Sequence, residues 1–137
     1  LIPFGQARTV VAGSDITIVA MSRMVVIAEQ AAAQLKERGI SAEVIDLRTL
    51  SPLDEGAVLE SLAKTGRLVV VDESNPYCSM ASEIAGLAVE RGFDTLDAPV
   101  RRVTAPHTPV PATPCLEIEY VPNAAKVIAA VEETLSY

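Results

Sequence analysis

The sequence predicts an α/β fold in which helices cover both faces of a mostly parallel sheet. Short β-branched runs alternate along the chain with segments of helical periodicity, as they do in βαβ units. Two of those runs are almost continuously apolar, which is typical of strands buried on both faces of a parallel sheet. The 137 residues are 50% hydrophobic and 21% charged, a composition that fits one globular domain.

Five strands are predicted, at residues 9–12, 16–20, 43–47, 68–71 and 100–103. The second and fourth are the almost continuously apolar runs, so we expect them in the interior of the sheet. A turn-forming run, Gly13-Ser14-Asp15, follows the first strand. Such a turn can reverse the chain, which would make the first strand an antiparallel neighbour in the sheet.

Four helices are predicted between and after these strands, at residues 24–38, 52–65, 78–91 and 123–135. In the first helix the apolar residues recur every three or four positions and form one stripe. Ser22 is placed to cap this helix and Gly39 to end it. Ser51 and Pro52 are placed as cap and first residue of the second helix, which ends before Gly66. The five prolines within residues 105–122 predict a stiff surface loop instead of a periodic element.

Composition and charge exclude several classes of protein. The net charge of −7 disfavours a nucleic-acid-binding protein, because phosphate contacts need clustered Lys and Arg; it suits a basic protein partner. No apolar run approaches the length of a membrane span, and no secretory leader opens the chain, so we expect a cytoplasmic protein. The chain begins at Leu1 without an initiator Met, so we expect a piece of a longer protein. Cys78 and Cys115 are expected to be reduced, buried thiols.

The sequence offers no residue set for catalysis, cofactor binding or metal binding. It lacks glycine-rich phosphate loops and a nucleophile elbow, and its single histidine, His107, has no partner for a zinc site. Cys78 is placed at a helix start, which lowers a thiol pKa, so a reactive cysteine and a small packed residue are both open. A possible anion site lies at Ser22 and Arg23, where a strand leads into a helix.

Several segments, read in order, resemble one known family. They are the runs at residues 13–20, 39–54, 65–73 and 96–111, including I-D-L-R-T-L-S-P-L-D at 45–54 and P-H-T-P at 106–109. They are similar to the C-terminal domain of the β-subunit of the decarboxylating component in 2-oxo acid dehydrogenase complexes. The sequence C-S-M-A-S-E-I at residues 78–84 is most similar to the pyruvate and acetoin branches of this family. Ala112-Thr113 departs from the pattern, since an aromatic residue is common there.

This resemblance implies a three-layer, transketolase C-terminal-like fold, with a five-stranded sheet whose short first strand is antiparallel. It implies thiamine diphosphate with Mg²⁺ in the whole enzyme, held by the α-subunit and the β-subunit's N-terminal domain, and no cofactor bound by this domain alone. The implied partners are the α-subunit, a second β-subunit and the subunit-binding domain of a dihydrolipoyl acyltransferase. Asp97, His107 and Tyr137 are the candidate partner contacts. As an isolated domain, we expect a homodimer.

Two alternatives are open at this point. The chain could be the C-terminal domain of transketolase or of deoxyxylulose-phosphate synthase, which share the fold. It could also be a small-ligand-binding module with a polar, concave site at the carboxyl ends of the strands. Such a site would need Ser22, Arg23, Asp72 and Glu73 to converge.

Overall fold

A five-stranded sheet forms the centre of the molecule in a computed structural model that describes residues 1–137. The strand order is β1-β3-β2-β4-β5. Only β1 is antiparallel to its neighbour, β3, and all other pairs are parallel. The strands are β1 (Arg8–Val11), β2 (Ile16–Ala20), β3 (Ala42–Asp46), β4 (Leu68–Val71) and β5 (Arg101–Val103). The predicted mixed sheet with an antiparallel first strand is therefore confirmed.

Five helices surround this sheet: α1 (Arg23–Glu37), α2 (Glu55–Thr65), α3 (Met80–Gly92), α4 (Pro114–Tyr120) and α5 (Ala124–Leu135). Helices α1 and α5 share one apolar core with the sheet, and α2 and α3 share the other. The predicted three-layer sandwich is confirmed. None of the helices combines the length and the apolarity that crossing a membrane requires.

The central strand β2 supplies side chains to both cores, because successive residues of a strand point to opposite faces. Ile16 and Ile18 pack with α1 and α5, whereas Val19 packs with α2 and α3. All five residues of the strand are buried. Burial of each large aliphatic side chain contributes roughly 1.5–3 kcal/mol, so the layers are held together chiefly by this strand and its neighbour β4.

Helix α1 begins where predicted, but Ser22 does not cap it. Ser22 has a left-handed φ of 53°, and its side chain accepts no hydrogen bond from the first turn. Its backbone carbonyl instead accepts a bond of 3.2 Å from the Val25 amide. At the other end Gly39 adopts a φ of +81°, so the glycine terminates the helix as predicted.

Helix α2 begins three residues later than predicted, so the assignment of Ser51 and Pro52 to its start was wrong. The Asp54 side chain is the cap and accepts the Ala57 amide at 3.1 Å. Its other carboxylate oxygen accepts the Ala7 amide at 2.8 Å, which ties the N-terminal segment to this loop. Ser51 and Pro52, joined by a cis peptide, form a turn ahead of the helix.

Helix α3 also begins later than predicted, at Met80, with Ser79 as its cap. Cys78 lies outside the helix with a left-handed φ of 49° and is exposed. Cys115 is exposed as well, on α4. The prediction that both thiols are buried was therefore wrong: neither cysteine belongs to a face that packs against the sheet.

The proline-rich segment, residues 105–122, is not a continuous loop, because α4 forms within it. Pro114 occupies the first turn of this helix, where the missing amide has no intrahelical partner to lose. Residues 115–121 contain no proline, so the turns that follow are unobstructed. None of the residues of α4 is buried.

Candidate functional site

The predicted site residues lie at two opposite ends of the parallel strands. At the carboxyl end, Ser22 and Arg23 follow β2, Asp72 and Glu73 follow β4, and His107 follows β5. At the amino end, Asp97 precedes β5 and Tyr137 follows α5. Helix α5 runs back along the sheet, since Glu133 near its end binds Arg101 at the start of β5, with 2.5 Å between nitrogen and oxygen.

Asp72 is buried and serves the fold. Its carboxylate accepts the Ser74 amide at 3.0 Å and the Ala81 amide at 3.3 Å. It thereby joins the end of β4 to the first turn of α3, where a carboxylate is favourably placed. Glu73 is exposed beside it, as expected for the next residue of an extended chain. Of Ser22, Arg23, Asp72 and Glu73, only Arg23 lines one of the five principal cavities.

Arg23 lines a cavity of about 350 Å³ between α1 and α4. The cavity is also lined by Ile27, Glu117 and Ile118, whereas Ser22 is not part of its wall. A carboxylate on the same wall opposes the binding of an anion. The anion site at Ser22 and Arg23 stays a prediction.

His107 contacts Tyr77 across the two loops that leave β4 and β5. The rings meet edge to face, with centroids 4.7 Å apart and an interplanar angle of 82°. Both residues are exposed. Arg102 holds the same loop from β5, where its guanidinium donates to the Pro76 carbonyl and to Ser82 Oγ, both at 2.7 Å. His107 therefore belongs to a surface at the carboxyl end of the sheet.

Asp97 is exposed and lies against the C-terminal end of α2. Its amide donates to the Gly66 carbonyl at 2.7 Å. A Cβ on Gly66 would lie 2.2 Å from Asp97 Oδ2, so the carboxylate occupies space that only glycine leaves open. The negative end of the helix dipole disfavours an anion here. No cation offsets it, because Asp97 forms no ion pair.

Tyr137 is 71% exposed at the amino end of the sheet. The Arg101–Glu133 pair connects β5, four residues after Asp97, to α5, four residues before Tyr137. Asp97 and Tyr137 therefore lie toward the same end of the domain. His107 lies at the other end, so one compact partner is not expected to contact all three residues.

Glu43 is a buried carboxylate that the sequence did not single out, only 4% exposed. Ser61 Oγ donates to it at 2.6 Å, Lys64 Nζ donates to its other oxygen, and the Gly13 amide donates at 3.4 Å. Burial raises the pKa of Glu43, but the bonds from Lys64, Ser61 and Gly13 and the charge of Lys64 outweigh it and hold the pKa below its ordinary value. Thr17 extends the network to Ser61 at 2.6 Å.

This network has no signature in the local sequence, because Ser61 and Lys64 follow Glu43 by 18 and 21 residues. Both belong to α2, and the alternation of residue types along β3 does not predict which helix residues pack over that strand. All polar atoms of Glu43 are engaged within the protein, so the group stabilises the fold and does not form an open site. No three His, Cys, Asp or Glu side chains converge as a metal site requires.

Helix α4 and the chain before it form a second exposed surface, which we call the strap (residues 105–123). Three large apolar residues of the strap are exposed by more than half: Val110, Leu116 and Ile118. The strap is joined to the rest of the domain by the Ala105 amide, which donates to the Ser74 carbonyl at 3.0 Å, and by Lys126 Nζ, which donates to the Glu119 carbonyl at 2.6 Å. Within the strap, Tyr120 Oη donates to the Thr108 carbonyl at 3.3 Å. Exposed apolar side chains grouped on one segment are typical of a protein–protein contact.

Comparisons with known proteins agree with this architecture. Residues 5–127 match the domain family described as transketolase, C-terminal domain. The chain is 53% identical, over 134 residues, to the acetoin:2,6-dichlorophenolindophenol oxidoreductase subunit beta of Bacillus subtilis. It is 42% identical, over 132 residues, to the pyruvate dehydrogenase E1 component subunit beta of Rhizobium meliloti. These matches cover 98% and 96% of the chain but span only 39% and 29% of the relatives.

A solved structure described as a split gene transketolase, inactive beta4 tetramer, superposes with a TM-score of 0.88. It is 31% identical in sequence, and the match covers 98% of this chain and 44% of that one. The fold and the sequence therefore lead to the same group of proteins.

Proposed function

Because the chain belongs to the transketolase C-terminal domain family, we propose that it is the assembly domain of an acetoin or pyruvate-type dehydrogenase β-subunit. The similarity along almost the whole chain to two dehydrogenase β-subunits carries this proposal. It favours the dehydrogenase branch over transketolase and deoxyxylulose-phosphate synthase. A small-ligand module has less support, because both carboxylate oxygens of Asp72 already accept backbone amides.

The whole enzyme, in this proposal, decarboxylates a 2-oxo acid or cleaves acetoin in the cytoplasm and passes the acyl group to a lipoyl arm. Thiamine diphosphate and Mg²⁺ supply that chemistry from the α-subunit and the rest of the β-subunit. The residues of this chain do not fit the cofactor. Its two buried carboxylates, Glu43 and Asp72, are both occupied by protein donors, and no acidic cluster suits Mg²⁺.

A calorimetric titration of the 137-residue chain with thiamine diphosphate and Mg²⁺ tests whether cofactor binding belongs to the other parts of the enzyme. We expect no binding heat above dilution and no decarboxylation of pyruvate. Micromolar binding to the chain would contradict the assignment of an assembly role.

The strap is the surface we propose for pairing with a second β-subunit. Its apolar residues are exposed, and two cations lie beside α4: Arg23 shares a cavity with Glu117, and Lys126 Nζ donates to the Glu119 backbone carbonyl. An exposed apolar surface suits a two-fold contact between identical chains. Sedimentation of Leu116→Ser/Ile118→Ser should show a shift from dimer toward monomer, and Leu50→Ser, an exposed apolar control elsewhere, should not. A strictly monomeric parent at high concentration would refute pairing by this domain alone.

Asp97 and Tyr137 are the residues we propose for docking the basic subunit-binding domain of the acyltransferase. Asp97 supports this because it is a carboxylate at the negative end of a helix with no cation of its own. Truncating one member of a buried charge pair costs roughly 2–5 kcal/mol, and charge complementarity speeds encounter. Binding of that domain should weaken with Asp97→Asn and with Tyr137 removed, but not with Glu60→Gln on α2. If both variants bind as tightly as the parent, with the same salt dependence, docking occurs elsewhere.

A further inference from the structure

A cavity of about 340 Å³ lies where the end of α1 meets the edge of the sheet at β1 and β3. We call it the edge cavity, and it is lined by residues 11–12, 32, 36 and 39–42. Its floor is apolar: Ala32 and Ala42 are buried, whereas Val11 and Ile40 are only partly covered beside them. The volume falls in the range of small-molecule sites, and a ligand here would complete the burial of these side chains.

The wall of the edge cavity carries a cation and no carboxylate. Lys36, one helical turn after Ala32, supplies an ammonium group that forms no ion pair, and Ser41 supplies a hydroxyl. Each of the other four principal cavities has at least one acidic residue in its wall. In a chain with 18 acidic and 11 basic residues, the edge cavity is therefore the one of the five whose wall favours an anion.

The negative groups nearest to this wall are already bonded to donors of the protein. Asp15 lies next to Ser41, whose amide donates to Asp15 Oδ2 at 2.7 Å, and Ser14 Oγ donates to Asp15 Oδ1 at 3.1 Å. The last turn of α1 is the negative end of a helix dipole, but there the Leu35 carbonyl accepts the Ile40 amide at 3.0 Å. The Lys36 ammonium is thus the charge available to a ligand.

We propose that the edge cavity binds a small aliphatic carboxylate. The alkyl chain of the ligand covers Val11, Ile40 and the two alanines, and its carboxylate pairs with Lys36 and accepts a hydrogen bond from Ser41. The end of β1, helix α1 and the start of β3 bound the cavity on three sides, so it suits a compact ligand better than an extended peptide. This inference is independent of the assembly role proposed above, because it uses none of the surfaces assigned to partner chains.

The experiment titrates the isotope-labelled 137-residue chain with hexanoate, hexanol and hexylammonium, which share an alkyl chain and differ in charge. We expect saturable shifts of the amide resonances of residues 11–12, 32–36 and 39–42 with hexanoate, weaker binding of hexanol and none of hexylammonium. Lys36→Gln should weaken hexanoate about two- to fivefold, as for a solvent-exposed ion pair, and leave hexanol unchanged. Arg48→Gln removes the same charge from an exposed position at the other end of β3, so it should leave hexanoate binding unchanged.

Ala12→Leu places a larger side chain at the exposed mouth of the cavity and should weaken hexanoate at least tenfold, whereas Ala63→Leu, exposed on α2, should not. Hexanoate at a concentration well above its Kd should raise the Tm of the parent by a few degrees and leave that of Ala12→Leu unchanged. The proposal is overturned if the parent shows no saturable shifts, if the shifted amides lie outside the edge cavity, if hexylammonium binds as tightly as hexanoate, or if Ala12→Leu binds hexanoate like the parent.

Discussion

Replacing Glu43 by Gln tests whether a buried carboxylate network holds β3 to α2. The substitution keeps the shape of the side chain but removes its charge and turns one acceptor into a donor. That donor would face either the ammonium of Lys64 or Oγ of Ser61, which donate to the two oxygens in the parent. A hydrogen bond to a charged group is worth about 1.5–3 kcal/mol. Lys64 is 49% exposed, so its ion pair adds only about 0.5 kcal/mol after solvent screening.

The expected loss for Glu43→Gln is therefore about 2 kcal/mol at pH 7, read from urea unfolding, or about 6 °C in Tm for a chain of this size. The matched control is Glu60→Gln on the exposed side of α2, which should change stability by less than about 0.5 kcal/mol.

The sign of the pH dependence follows from the lowered pKa of Glu43. A carboxyl whose pKa is lower in the folded than in the unfolded state stabilises the fold above its ordinary pKa of 4.5. That contribution is lost as pH falls through the lower, folded value. The difference between parent and Glu43→Gln should shrink steadily below pH 4.5. An equal difference at every pH, or none at pH 7, would refute the role assigned to the charge.

Three further substitutions test other parts of the fold by urea unfolding. Gly66→Ala should destabilise the fold by more than about 1 kcal/mol, because a Cβ would meet Asp97 and φ is +70°. Gly86→Ala, with open space around it inside α3, should stabilise the fold by up to about 1 kcal/mol. Equal effects of the two substitutions would refute the steric argument. Asp54→Ala should cost about 1–2 kcal/mol because it removes the cap of α2 and the anchor of the N-terminal segment, and a loss below 0.5 kcal/mol would contradict this. Leu35→Ala should cost about 2–5 kcal/mol, since the side chain is fully buried, and a smaller loss would mean that the core collapses around it.

The parts of the fold that the sequence predicted are those with a repeating pattern. The apolar runs of β2 and β4 and the stripe of α1 each recur over several residues, and packing imposes no competing pattern on them. Gly39 and Gly66 were recognised because a left-handed residue at a helix end favours glycine. Each of these features is specified locally.

The features that the sequence missed depend on contacts between distant segments. Asp54, and not Ser51, caps α2, and its second oxygen accepts the Ala7 amide, 47 residues away. Glu43 is buried because α2 brings Ser61 and Lys64 over it. The same holds for the candidate site, where Asp97 was named from resemblance but the mostly apolar cavity that it lines arises only when α3 and the chain before β5 come together.

Helix α5 comes after every strand of the sheet in the chain, and this order has a consequence for synthesis. Its Val127, Ile128 and Val131 close the core over β4 and β5, beside α1. A ribosome adds about 5–20 residues per second, so the 12 residues of α5 take about 0.6–2.4 s to be synthesised. Until then the nascent chain presents the apolar face of β4 and β5 to solvent. A chain terminated after Pro122 would retain that face permanently, and chaperones and proteases would treat it as unfinished protein.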